Sequence, residues 1–151
     1  MLWLLFILLS YLVGSINPTY LVGRLQGFDA RFVGRRAWGS CGAMKAWHLF
    51  GWPVGVFVFL FDALKIFFVA WLASIFVTSP WILLFCILAG AIGHIFPFYL
   101  QFSGGYGIAS AWGGVLFFIW HFFGQLEQVL FFSFIAMTTL VCFEMFVLFP
   151  L

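Results

Sequence analysis

The sequence predicts an all-α integral membrane protein: a bundle of about five transmembrane helices, N-terminus outside, with two cytoplasmic loops forming a site. Three observations carry that expectation. Of 151 residues, 66% are hydrophobic and only 7% charged, against about a quarter charged in ordinary soluble domains. The apolar runs are too long and too many for one soluble core, which makes lipid the solvent for most of the surface. Five of the six Lys/Arg residues (Arg24, Arg31, Arg35, Arg36 and Lys45) fall in one segment between apolar runs, the asymmetry that orients a chain in a membrane.

The elements follow in order. The opening "MLWLLFILLSYLVG" has no basic flank and no small-residue cleavage site, so it reads as a retained helix and not a signal peptide. Spans are expected at about Leu2–Val22, Trp52–Val77, Trp81–Leu100, Ile108–Phe123 and Val129–Phe149. Helix is the only conformation open to such runs, because lipid offers no partner to backbone N–H and C=O groups. Barrel strands would need alternating polar positions, which are missing. Between the spans lie a basic loop at Arg24–Phe50, a turn at Thr78–Pro80, a glycine loop at Gln101–Gly107 and a turn at Gly124–Gln128. The positive-inside rule keeps the basic loop in the cytoplasm; counting spans then puts the glycine loop on the same side. No repeat or linker interrupts the chain, so residues 1–151 read as a single polytopic membrane domain.

Composition also excludes chemistry. Cys41, Cys86 and Cys142 fit no metal motif, and an odd, scattered set makes no disulfide framework. The basic cluster sits between spans without a stacking platform around it, so nucleic acid is not a partner. Three constellations remain. Gly104, Gly105 and Gly107, ahead of the fourth span, can bring backbone N–H groups close to an anion, as helix N-termini do; the plainer alternative is a flexible turn. The basic loop can face the same anion, although topology alone accounts for its charge, and Ser40 and Lys45 are its candidate polar ligands. Asp62 and Lys65, three residues apart, share a helix face and can pair. His94, near the end of the third span, and Glu144, in the last, are further ionisable groups inside spans; His121 beside Trp120 reads as an interfacial anchor.

These stretches stand in a familiar order. "GSINPTYLVGRL" at Gly14–Leu25, Asp29 and Arg31, "FDALK" at Phe61–Lys65 and "GHIFPFYLQFSGGYGIAS" at Gly93–Ser110 resemble the bacterial acyl-phosphate:glycerol-3-phosphate acyltransferases. The last stretch is the most specific, with histidine, proline and three glycines at the family spacing. The likeness runs over roughly residues 10–115. Within the basic loop two registers are open. One puts Lys45 where the family has an arginine; the other puts Ser40 at its asparagine and His48 at that arginine. Tyr106 stands in place of a lysine, and Ser110 keeps a hydroxyl at a threonine position. The family fold has seven helices and a third, C-terminal basic motif, so the chain is identified as a divergent, C-terminally short member.

The resemblance implies transfer of an acyl group from acyl phosphate to the 1-hydroxyl of glycerol 3-phosphate, giving lysophosphatidate for phospholipid synthesis in a bacterial inner membrane. Acyl phosphate, glycerol 3-phosphate and membrane lipid are the implied partners, with no metal or other cofactor. Catalytic roles fall to His94, Lys45 and Ser40. His94 either accepts the glycerol hydroxyl proton or fixes the glycine loop's shape. Phosphate binding falls to Arg31, Gly104, Gly105, Gly107 and Ser110, with Asp62 and Lys65 as a structural intramembrane pair. Two alternatives stand beside this: a non-catalytic descendant acting as membrane scaffold or lipid-binding partner, and a small-solute carrier using Asp62, Lys65 and Glu144.

Overall fold

The computed structural model describes residues 2–33, 41–124 and Ser133. Their regular elements are all helical, with no strand among the described residues. They form α1 (Leu2–Ser15), α2 (Pro18–Leu25), α3 (Ala43–Phe50), α4 (Trp52–Phe76), α5 (Pro80–Ile95), a short 3-10 turn (Phe98–Leu100) and α6 (Ile108–Phe123). Taken with the 3-10 turn, α5 runs from Pro80 to Leu100; it and α4 are long and apolar enough to cross a membrane, and α1 with α2 qualifies as a third span if the bent pair is one. The fourth expected span matches α6, a shorter apolar helix. The fifth, Val129–Phe149, lies outside the described residues except for Ser133, and Glu144 and Ser40 lie outside them altogether.

The first span is not the continuous helix expected over Leu2–Val22. It breaks between Ser15 and Pro18 with a 43° bend. The cause is local. Pro18 has no N–H to donate backward, and extended Asn17 caps the new helix by accepting from the Tyr20 N–H at 3.0 Å. A break inside an apolar run frees carbonyls that need partners, and the rest of the fold supplies them, as described below.

The chain divides into two compact units, Met1–Gly114 and Val115–Leu151. In the first, α1 packs on α5 and α4, and α3 folds back on α4. Small residues let backbones meet, the usual solution where lipid gives no hydrophobic drive between helices. A Cβ on Gly14 would strike the main chain of Gly90, and one on Gly93 would strike the Tyr11 carbonyl. The buried core here is Val58, Ile66, Val69, Leu83, Cys86 and Ile87, while Leu2, Leu4, Leu5, Leu8 and Leu12 lie exposed along α1. At the start of α6, Gly113 abuts the Ala63 carbonyl of α4. Within the second unit, Phe117 stacks on His121 and Phe118 meets Phe122 along α6.

Gly14→Leu forces α1 off α5. It is expected to lower stability by about 1–3 kcal/mol or more, as overpacking of a tight contact does, read as a lower thermal midpoint in detergent.

Candidate active site at two interlocked loops

The site builds from where helices stop. Helix α5 ends at Ile95 rather than running on toward Leu100, because Pro97 cannot continue it. His94 therefore stands in the last helical turn. The chain then turns through Phe98–Leu100, with Gln101 and Phe102 both at positive φ (53° and 61°). It returns to the helix it has just left: the Gly104 N–H donates to the Ile95 carbonyl and the Gly105 N–H to the His94 carbonyl, each at 3.1 Å. Side chains are excluded there. A Cβ on Gly104 would fall on the His94 carbonyl, and one on Gly105 on the His94 ring.

The amides of Gly104 and Gly105 close the loop onto the C-terminus of α5. Among the described backbone bonds, no carbonyl accepts from the N–H of Tyr106 or Gly107. Gly107, at φ +81°, leads directly into α6, whose first turn leaves further donors without helical acceptors. Of the donors the sequence indicated, those at Gly107 and the start of α6 are thus the open ones. Ser110 is fully buried, and its hydroxyl donates to the Asp62 carbonyl at 3.3 Å, joining α6 to α4.

The basic loop meets the glycine loop directly. The Cys41 N–H donates to the Gly104 carbonyl at 3.0 Å, and Arg31 Nη1 donates to the Leu100 carbonyl at 3.3 Å. Behind the contact, Asn17 Nδ2 donates to the Cys41 carbonyl at 2.6 Å and Thr19 Oγ1 to the Gly42 carbonyl at 3.1 Å. The break in the first span is thus the anchor of the basic loop. That loop is also more regular than its four glycines suggest, since α3 occupies Ala43–Phe50.

Arg31 is held on several sides. Asp29 accepts from its Nη2 at 2.7 Å and from its Nε at 3.0 Å, and the guanidinium lies 5.6 Å from the Tyr20 ring and 5.1 Å from the Phe32 ring. Lys45 is buried on α3, its Nζ 3.4 Å from the Arg31 carbonyl. The hydrogen bond from Arg31 holds the Asp29 carboxyl below its usual range and raises the guanidinium further, while burial pushes the Cys41 thiol up.

A depressed native carboxyl stabilises the fold above the ordinary Asp value of about 3.9. The contribution is lost as pH falls through the lower native value. Protection of the Cys41 amide, its exchange rate relative to the intrinsic rate at the same pH, is therefore expected to stay level down to about pH 4 and to fall below it. Arg31→Ala should raise alkylation of Cys41 about tenfold at neutral pH, since it removes a charge-assisted bond between the loops; peptide mass spectrometry reads both.

Beneath the loops lies a buried polar hub. Lys65 Nζ is 2.8 Å from Asp62 Oδ1, 2.6 Å from the Ile16 carbonyl and 3.0 Å from His94 Nδ1. Asp62 Oδ1 is 3.3 Å from the same His94 nitrogen. Tyr99 completes the repair of the broken helix: its hydroxyl donates to the Ser15 carbonyl at 2.8 Å and accepts from the Asn17 N–H at 3.1 Å. Asp62 and Lys65 pair as their spacing indicated, and His94 joins them. Asn17, Thr19 and Tyr99 were not singled out from the sequence. The one local signal for Asn17 was Asn-Pro inside an apolar run.

The sequence matches the family described as Glycerol-3-phosphate acyltransferase over residues 4–151. Over 119 residues it is 39% identical to a glycerol-3-phosphate acyltransferase of Thermotoga petrophila, covering 78% of this chain and 59% of that one. A homologue of the same description from Moorella thermoacetica is 34% identical over 145 residues, covering 92% and 73%. Crystal structures of PlsY, an integral membrane glycerol 3-phosphate acyltransferase, superpose on this fold. The glycerol 3-phosphate form has a TM-score of 0.76 at 29% identity, covering 97% of this chain and 67% of that one. The lysophosphatidic acid form has a TM-score of 0.68 at 30% identity, covering 87% and 61%. The chain thus spans about three-fifths of the length of the first of these relatives. With long apolar helices and a break in the first span that polar groups repair, it is an integral membrane protein and belongs to the glycerol-3-phosphate acyltransferase family.

Proposed function

We propose that the protein transfers an acyl group from acyl phosphate to glycerol 3-phosphate at the cytoplasmic face of a bacterial inner membrane. The observation that carries this reading is the interlock itself: Cys41 bonds Gly104 and Arg31 bonds Leu100, bringing a cationic loop and a glycine-rich loop to the start of α6. Two phosphorylated substrates need cations and open amides together. Arg31 and the donors at Tyr106, Gly107 and the first turn of α6 are the proposed anion site. Lys45 and Ser40 remain proposed contributors from the basic loop. The hydroxyl oxygen attacks the acyl carbon, the acyl–phosphate bond breaks, and phosphate leaves with the hydroxyl proton in the net reaction. Catalysis then rests on positioning two anions and on stabilising the developing oxyanion.

The non-catalytic alternative draws on the side chains already committed to the fold: Ser110 to Asp62, Lys45 to Arg31, and Tyr106 where a cation would serve better. Purified protein in detergent, supplied with acyl phosphate and labelled glycerol 3-phosphate, is expected to form lysophosphatidate. No product at any substrate concentration would assign the chain to that alternative.

A further inference from the structure

The hub beneath the loops determines the state of the histidine beside them. An ammonium has three donors and no acceptor, and Lys65 Nζ has three partners at hydrogen-bond distance: the Ile16 carbonyl, Asp62 Oδ1 and His94 Nδ1. If all three donate, Nδ1 must accept, and a neutral ring then carries its proton on Nε2. The alternative arrangement makes Lys65 a neutral amine that accepts from a protonated Nδ1. With a neutral ring that would leave the Asp62 carboxylate, 1% exposed, as a buried charge without a countercharge, which is strongly unfavourable; with an imidazolium 3.3 Å from Asp62 it would place the proton on the weaker base, since an ammonium ordinarily holds its proton to about pH 10.4 and an imidazolium to about pH 6.5. The ring's Nε2 edge faces the glycine loop, since a Cβ on Gly105 would fall on that nitrogen.

We infer that Lys65 is a positioning residue that locks His94 as a neutral Nε2–H tautomer, making His94 a hydrogen-bond donor at the glycine loop and not a proton acceptor. This replaces one of the two roles the sequence left open for His94. A ring with Nδ1 occupied by Lys65 and Nε2 already protonated has no site for the glycerol hydroxyl proton. It can donate to an oxygen held over Gly105, such as a phosphate or carbonyl oxygen of a bound substrate. The substrate-facing half of the inference rests on the proposed acyl transfer; the tautomer does not.

The chain has three histidines, so the test is direct. Protein labelled with 15N-histidine in detergent is expected to show, for the ring assigned by its loss in His94→Gln, an unprotonated Nδ1 and a protonated Nε2 at neutral pH. A protonated Nδ1 in that ring would overturn the inference. In Lys65→Met the proton is expected to move to Nδ1, where Asp62 can accept it; a ring that keeps its Nε2–H there would show that Lys65 does not set the tautomer. If Lys65→Met fails to fold, the unsubstituted protein's spectrum decides alone.

Activity gives the second readout. Glutamine keeps an N–H donor at the Nε2 position but cannot take up a proton, so His94→Gln should stay within about tenfold of the parent, while His94→Leu loses more. A general base would show a loss of about 10²–10⁴-fold in both, and equal losses would overturn the donor role. If the unsubstituted protein makes no lysophosphatidate, the proposed function fails, and the nitrogen spectrum still tests the tautomer.

Discussion

Asp62→Leu is expected to destabilise the protein by about 3–5 kcal/mol, the range for removing one member of a buried ion pair. The reason is what it leaves behind. Lys65 is 6% exposed, and without Asp62 its ammonium would sit among apolar helices with two neutral acceptors, Ile16 and His94. Removing both charges together is expected to be milder. In Asp62→Leu/Lys65→Leu no uncompensated charge remains, and the losses are the bonds to the Ile16 carbonyl and His94 Nδ1, about 1–3 kcal/mol each if left unsatisfied. The double variant should therefore unfold at a higher denaturant midpoint than Asp62→Leu alone. Because the two side chains share one bond, their effects will be strongly non-additive. A double variant weaker than either single one would mean that the charges contribute independently, contrary to the hub.

A solute-translocating role for the same residues requires that Asp62 and Lys65 line a hydrated path. Their geometry is that of a tie. Lys65 binds across to the break in the first span, Ser110 binds the Asp62 carbonyl from α6, and no buried side-chain nitrogen or oxygen among the described residues lacks a partner.

How much of this was legible in the sequence differs by kind of interaction. Long apolar runs translate directly into helices because lipid permits nothing else, so α4 and α6 fall where hydropathy placed them. The Asp62–Lys65 pair was legible because three residues on a helix bring two side chains together without reference to the rest of the fold. Hydropathy could not see the break at Asn17, since the apolar run continues on both sides of Pro18 and the carbonyls it frees are satisfied by Tyr99 and Lys65 from distant segments. His94 joins the hub only through the packing of α5 on α4, a contact 29 residues away in sequence. The loop interlock is illegible for a further reason: the bond between Cys41 and Gly104 is made by main-chain atoms, which carry no residue-specific signal. Glycine content signalled close approach at residues 104–107, yet not what approaches. At Gly104 and Gly105 it is the end of the chain's own helix and the His94 ring.

The His94 ring packed on Gly105 makes Gly105→Val a severe substitution. As an open anion site, the loop would lose one amide contact and keep its shape. In the structure a Cβ at this position would clash with His94 Nε2 and crowd the imidazole, while the Gly105 N–H is tied to the carbonyl of the same histidine. Valine must therefore displace either the ring or the loop. Moving the ring pulls His94 from Lys65; moving the loop breaks the bonds to His94 and Ile95 and carries Gly104 away from Cys41. Either path separates the two loops at the proposed site. Activity is expected to fall at least a hundredfold, the scale of about 1 Å misplacement in a positioned site. Helix content and membrane insertion should be unchanged, because the substitution adds apolar volume and removes no span. Cys41 should also become more reactive toward alkylating reagents, a change that loss of a single phosphate contact would not produce. Unaltered Cys41 reactivity together with weakened glycerol 3-phosphate binding would place the Gly105 amide on the ligand and leave the interlock intact; the reverse pattern, exposed Cys41 with loss of activity, follows from a loop whose main role is to hold its neighbours in place.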